Sequence, residues 1–174
     1  MQNNTTGWGN TASGMQTLSF NTEGIGNVAI GYNSMLGNTQ ANYNTAIGYH
    51  SLYNTYSNSG ANTYNVGLGY KAGDLITTGT NNVILGANAD PSANNGTNQI
   101  VIGYDATGTG DNSVSLGNTS ISSIKGQVSF TTYSDRRIKK NIVDNELGLA
   151  FINRLHTVTY NLKNPADYPE AILE

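Results

Sequence analysis

The stretch NVAIGYNSMLGNTQANYNTAIGYHSL (27–52) carries one nine-residue motif twice, and the interval between the copies decides the fold. The copies are NVAIGYNSM (27–35) and NTAIGYHSL (44–52), so their glycines, Gly31 and Gly48, lie 17 residues apart. An interval of this length is too short for a strand–helix–strand unit or a propeller blade, but it suits one coil of a parallel β-solenoid. The pair therefore predicts a chain built from stacked coils.

The same motif recurs along most of the chain. The other copies are NTASGMQTL (10–18), NVGLGYKAG (65–73), NVILGANAD (82–90), QIVIGYDAT (99–107) and SVSLGNTSI (113–121). The anchor glycines are Gly14, Gly31, Gly48, Gly69, Gly86, Gly103 and Gly117. Successive anchors are 17, 17, 21, 17, 17 and 14 residues apart, and the longest step contains the polar stretch 56–64. A Gly/Asn/Thr-rich linker does not hold such a register, which favours the solenoid.

Most copies have a pair of apolar or β-branched residues before the glycine, and every copy has a small residue after it. The pairs stand three and one positions before the glycine, as in Val28 and Ile30, and alternation places both side chains on one face of a short strand. We expect these pairs to form the thin buried line of each coil, with two short strands and two turns per coil. Glycine then permits a tight corner or a close backbone approach. The small residues, three positions on, are Thr17, Ser34, Ser51, Ala72, Ala89, Ala106 and Ser120.

The composition excludes several classes of function. The chain has no cysteine, so disulfides and thiolate chemistry are absent, and it has only two histidines. A pI near 5.2 argues against nucleic acid as a partner. No apolar run is long enough for membrane insertion. We expect no metal and no cofactor: the loop aspartates lack calcium-site spacing, and the G-x-G-x-x-A letters at 67–72 fall in the repeat register without a strand–helix crossover.

The repeats resemble the head repeats of trimeric autotransporter adhesins, whose signature is close to N-S-V-A-I-G-x-x-S/A. The resemblance covers about residues 7–121 and implies a left-handed parallel β-roll, three of which pack about a threefold axis as a homotrimer. Heads of that family often step by 14 residues, whereas this chain mostly steps by 17. We therefore predict an all-β trimeric shaft or head over residues 1–117, followed by a strand-rich neck over 118–133.

The last part of the chain has a different composition. Six of the eight basic residues follow Tyr133. Apolar residues at helical spacing predict a short amphipathic helix over 145–155, and alternation at 158–162 predicts a strand, so residues 134–174 should form a short α+β segment. The segment SDRRIKKNI (134–142) resembles the start of the intramolecular chaperone domain of endosialidases and other phage tail fibres. The matching residues are Ser134, Asp135, Arg137, Ile138, Lys139, Asn141 and Ile142.

This second resemblance implies self-cleavage just before the serine, between Tyr133 and Ser134, in a full-length form of the protein. By position, Ser134 would be the nucleophile and Lys139 the general base, since a serine hydroxyl needs a base to take its proton. The residues alone leave a plainer alternative open, in which Ser134 or Asp135 caps a helical turn. We expect no turnover enzyme.

Together these features predict a structural homotrimeric fibre protein, of the viral tail-fibre type, that attaches to a host. The expected location is the virion tail fibre, outside cells, and the expected partner is a host-surface receptor, with carbohydrate as one candidate. A bacterial surface adhesin and a fibre-borne glycan depolymerase are the alternatives, although acidic residues over 1–126 are few and scattered. Tyrosines follow four anchors and should form a stripe that either packs the trimer or stacks on sugars: Tyr32, Tyr49, Tyr70 and Tyr104.

Overall fold

The computed structural model of the chain describes residues 1–57 and 59–127, and over these residues the fold is an all-β parallel solenoid of about six turns. The strands are β1 (Thr11–Ser13), β2 (Val28–Ile30), β3 (Thr45–Ile47), β4 (Val66–Leu68), β5 (Val83–Leu85), β6 (Ile100–Ile102) and β7 (Val114–Leu116). They form one parallel sheet in the order of the sequence. Equivalent motif positions pair directly, as Ala29 does with Ala46, so the repeat read from the sequence is the register of the sheet.

Each coil contains one regular strand, so the prediction of two strands per coil is wrong. The remainder of a coil is turn, supplemented by isolated parallel bridges such as Thr80–Thr97. The physical reason lies just past the anchor glycine, where residues with left-handed φ interrupt the extended backbone. In the third coil His50 has φ 56° and Leu52 has φ 48°, and an extended strand cannot pass through such residues.

The assignment of inside and outside from the apolar pairs is also wrong. The middle strand residue points into the coil: Ala29, Ala46, Ile84 and Val101 are all fully buried. The paired positions point outward, and Leu68, for example, is 46% exposed. A period of two marks the two faces of a strand but does not identify the enclosed one. Ala29 and Ala46 are small where the opposite wall contributes the fully buried Leu18, Met35 and Leu52, whereas the later coils enclose the larger Ile84 and Val101.

The seven anchor glycines form one column at the corner after the strands. From Gly14 to Gly103 their φ angles lie between 126° and 138°, and Gly117 has φ 81°. A residue with a side chain is strained at such φ values, and neighbouring backbone atoms also leave no room for a Cβ atom. A Cβ placed on Gly31 would lie 2.5 Å from the carbonyl oxygen of Gly48 in the next coil. The corner therefore depends on successive coils whose backbones approach closely.

The first compact unit of the chain is Met1–Lys125. The described part of the predicted neck, residues 118–127, contains no strand, and its remaining residues lie outside the described part. The predicted helix over 145–155 and strand over 158–162 also lie outside it. Within the described residues, the structure contains no helix of the length and apolarity required for a membrane span.

Candidate functional surfaces

An asparagine ladder runs through the interior beside the sheet and fixes the height of each coil. Asn27, Asn44, Asn65 and Asn82 stand directly before their strands and are fully buried. The Oδ1 atom of each of these residues accepts the main-chain N–H of the residue one coil further on, at 2.9 to 3.0 Å. Gln99 ends this run by donating its N–H to Asn82. Each amide side chain thus satisfies a buried backbone donor that the short strands leave unpaired.

Sequence reasoning missed this ladder, although the signal was present as the first letter of five motif copies. Asparagine is common in turns, and that preference alone does not distinguish a buried, repeated asparagine from a turn residue. A second, shorter ladder joins Asn4, Asn21 and Asn38 through side-chain amides, at 2.8 and 2.9 Å. What separates a ladder asparagine from a turn asparagine is its recurrence at one register position.

The outer face of the sheet is an apolar surface. It consists of two rows, formed by the first and the third residue of each strand. Residues of one row lie side by side in neighbouring strands, as Val28 and Thr45 do. The large side chains of these rows that are at least one-third exposed are Ile30, Leu68, Ile100, Ile102, Val114 and Leu116. A contiguous exposed surface of this kind marks an interaction site. We call it the outer strand face.

An aromatic column lies beyond the glycine corner. The ring centroids of Tyr32 and Tyr49 are 5.2 Å apart, and those of Tyr49 and Tyr70 are also 5.2 Å apart, with both pairs stacked. His50 stacks on Tyr49 at 4.2 Å and on Tyr53 at 4.5 Å. The predicted stripe therefore exists over these three coils, as a ladder of rings whose inner faces cover one another.

Two titratable side chains, His50 and Lys71, lie beside this column. Burial, and secondarily the Lys71 ammonium, hold the pKa of His50 below its ordinary value. The same ammonium lies 5.8 Å from the centroid of the Tyr70 ring, as a cation–π contact. His50 also meets Asn33 through a 3.1 Å contact between Nε2 and Nδ2. The column is thus bordered by a neutral imidazole and a cation at physiological pH.

Two carboxyl groups among the described residues, those of Asp90 and Asp111, have pKa values shifted in opposite directions. Burial raises the pKa of Asp90 to about 7, and the neighbouring Asp74 adds to the shift, while an N–H donated by Leu75 opposes it. Asp111 differs, because hydrogen bonds from Thr97 and Gln99 lower its pKa. In the part that the structure describes, no group of three or more His, Cys, Asp or Glu side chains is arranged to hold a metal ion.

The predicted cleavage residues, Tyr133, Ser134 and Lys139, lie outside the described residues. The roles assigned to them above therefore stay predictions. The anchor glycines, by contrast, are all described, and they line the corner between the outer strand face and the aromatic column.

Comparison of the chain with known proteins gave one finding. Searches of curated proteins and of solved structures found no match to the chain. A scan of protein-family models matched residues 134–173. The matched segment begins at Ser134, the residue at which the motif SDRRIKKNI starts. By its family description, this C-terminal segment is similar to the chaperone of endosialidase, Peptidase_S74.

Proposed function

We propose that the chain is a subunit of a homotrimeric fibre of the phage tail-fibre type, which attaches the virion to a host-surface receptor. The C-terminal match to the endosialidase chaperone supports this proposal, because that family accompanies trimeric fibres of this type. The extended stack of coils supports a shaft or head role. The location that follows is extracellular, at the tip or shaft of a virion tail fibre, without nucleic acid as partner and without membrane insertion.

The observation that carries the proposal is the outer strand face. Fully burying an Ile or Leu side chain contributes about 1.5–3 kcal/mol, so covering one that is now 38–46% exposed contributes roughly 1 kcal/mol. Ile102 and Leu68 are examples, and exposed apolar side chains recur at the same strand position in other coils. The same surface is present in each copy of the chain, so a closed cyclic assembly covers it without leaving an open end. Three chains about one axis agree with both family resemblances.

Light scattering tests the assembly directly. We expect a mass of about three times 18.4 kDa in dilute solution. The double variant Leu68→Glu, Ile102→Glu places charges on the outer strand face and should abolish the trimer, because each charge would be buried without a partner. Its matched control, Thr78→Glu with Asn94→Glu, places the same charges on exposed turn residues and should remain trimeric. A stable folded monomer of the unaltered chain would refute the proposal.

We extend the proposal to the C-terminal segment. In a full-length form, the segment that begins at Ser134 sets the register of the three chains. The Ser134 hydroxyl then attacks the Tyr133 carbonyl carbon, and the C–N bond breaks as the Ser134 nitrogen takes up a proton. Water hydrolyses the resulting ester between Tyr133 and Ser134, which releases the segment. Lys139 acts as the base that takes the hydroxyl proton. The support is the family match together with the motif spacing of five residues.

A further inference from the structure

The aromatic column is interrupted once between its tyrosines, at Ala87. The residues of this column, one position after each anchor glycine, are Met15, Tyr32, Tyr49, Tyr70, Ala87, Tyr104 and Asn118. Main-chain bonds fix the stacking order: Asn88 donates its N–H to the Tyr70 carbonyl at 2.9 Å, and Asp105 donates to the Ala87 carbonyl at 2.9 Å. Ala87 therefore lies one coil from Tyr70 and one coil from Tyr104.

The interruption has the thickness of one ring. Neighbouring rings in the unbroken part of the column stand 5.2 Å apart, so the two column positions flanking Ala87 are separated by two coil steps, roughly 10 Å. A ring inserted above the Ala87 methyl group would lie about 5 Å from each wall, which is the spacing the tyrosines already adopt. The walls are open: Tyr70 is 50% exposed and Tyr104 is 68% exposed, against 42% for Tyr49, which has a stacked tyrosine on each side.

The neighbouring column indicates which kind of ring fits. One residue further along each of these coils stand Lys71, Asn88 and Asp105, all with φ between 53° and 54°. They offer, in order, a cationic donor, an amide that both donates and accepts, and an anionic acceptor. Sugar hydroxyls donate and accept as well, and the C–H faces of a pyranose suit the electron-rich faces of tyrosine. A purely aromatic ring would leave these polar groups unused, and a charged ligand would meet one like charge.

We propose that this interruption, bounded by Tyr70 and Tyr104 with Ala87 as its floor, is a binding slot for one neutral pyranose ring of a surface glycan. The proposal rests on the attachment role proposed above and names the class of receptor. It needs residues of one chain only, so a trimer presents three slots. Three equivalent weak sites gain strength together through multivalent attachment.

Saturation-transfer NMR with methyl glycosides of glucose, galactose, mannose and N-acetylglucosamine tests the slot in the unaltered protein. We expect millimolar binding of at least one glycoside, with transfer strongest to the C–H protons of its ring faces. Ala87→Tyr completes the column and should abolish binding. Met15→Tyr is the matched control, since it extends the same column at its other end and leaves the slot open. Tyr104→Ala removes one wall and should weaken binding about 2- to 10-fold.

The outcomes separate the slot from the assembly, because light scattering is run on every variant. A trimer that binds none of the four glycosides overturns the slot and leaves the fibre proposal standing. Undiminished binding by Ala87→Tyr overturns the slot as well. If Ala87→Tyr dissociates the trimer, a neighbouring chain occupies the interruption, and the slot proposal is refuted in favour of a packing contact. Loss of binding with the trimer intact supports it.

Discussion

The asparagine ladder makes a quantitative prediction at Asn44, its central member. Oδ1 of this residue accepts the Asn65 N–H at 2.9 Å and the Thr63 hydroxyl at 2.8 Å, while its Nδ2 donates to Asn27 Oδ1 at 3.1 Å. All four residues are buried. Asn44→Ala removes the acceptor, and the N–H of Asn65 then has no partner inside the coil.

The cost follows from these contacts. A buried N–H without a partner costs about 1–3 kcal/mol, and the other lost hydrogen bonds contribute roughly 1 kcal/mol more. The Thr63 hydroxyl keeps a second acceptor, the Asn42 carbonyl at 3.2 Å, so it still has a hydrogen-bond partner in the variant. We expect Asn44→Ala to lower the free energy of unfolding by about 2–4 kcal/mol per chain.

Urea unfolding followed by far-ultraviolet circular dichroism measures this difference, and hydrogen exchange locates it. The Asn65 amide should lose protection more than amides two coils away. Asn94→Ala is the control, because Asn94 is an exposed turn residue and its change should stay within about 0.5 kcal/mol. If the two variants are equally stable, or if the Asn65 amide keeps its protection, the ladder does not hold the coils and the reasoning fails.

Three further predictions follow from the glycine corner, the raised carboxyl pKa and the cleavage motif. Gly48 has φ 136° and lies against the backbone of the next coil, so Gly48→Ala should lower the free energy of unfolding by roughly 3 kcal/mol or more. Gly60 has φ 66° and lies in open space, so Gly60→Ala should lower it by only about 1 kcal/mol. Equal melting temperatures of the two variants would contradict this. The pKa of Asp90 is about 7 in the folded chain against an ordinary value of 3.8, so the folded state binds the proton more tightly and stability falls as pH rises between these values. Asp90→Asn should reduce the difference between melting temperatures measured at pH 5 and pH 8. An unchanged difference would refute this prediction. In full-length protein, mass spectrometry should find a fragment that begins at Ser134, absent in Ser134→Ala and Lys139→Ala; cleavage at another bond would overturn the assigned roles.

The solenoid and its register could be predicted from the sequence because both depend on positions that accept only one kind of residue. A corner with φ near 130° accepts glycine only, so the spacing of Gly31, Gly48 and their equivalents is the spacing of the coils. The small residues three positions later, such as Ser34 and Ala72, are buried for an equally local reason, since they sit under the same corner. Ser34 even donates its hydroxyl to the Ala46 carbonyl at 3.1 Å.

The enclosed face could not be predicted in the same way. Val28 and Ile30 are more hydrophobic than Ala29 between them, and in an ordinary sheet the larger apolar residues would lie inside. Here the coil is too narrow for large residues on both walls, which is a property of the closed coil and not of the strand. The interior asparagines were missed for a related reason: Asn44 is polar, and only its repetition beside a backbone donor reveals why it is buried.

These two misses have one consequence for assembly. Among the described residues, the fully buried apolar side chains larger than alanine are Leu18, Met35, Leu52, Ile76, Ile84 and Val101, about one for each turn of the solenoid. More large apolar side chains lie on the surface than in that interior, with the outer strand face among them. A single coil stack of this kind has little hydrophobic stabilisation, and hydrogen-bond ladders contribute mainly register.

Folding and association should therefore be one equilibrium, in which the outer strand face is buried only when chains meet. The unfolding midpoint must then rise with protein concentration. Forming a trimer from three chains takes two association steps, and a tenfold increase in concentration favours each step by about 1.4 kcal/mol. The same increase therefore stabilises the folded trimer by about 2.8 kcal/mol. Thermal melts over a hundredfold range of concentration measure this shift. A midpoint independent of concentration would show that one chain is stable alone, and the outer strand face would then need a different partner.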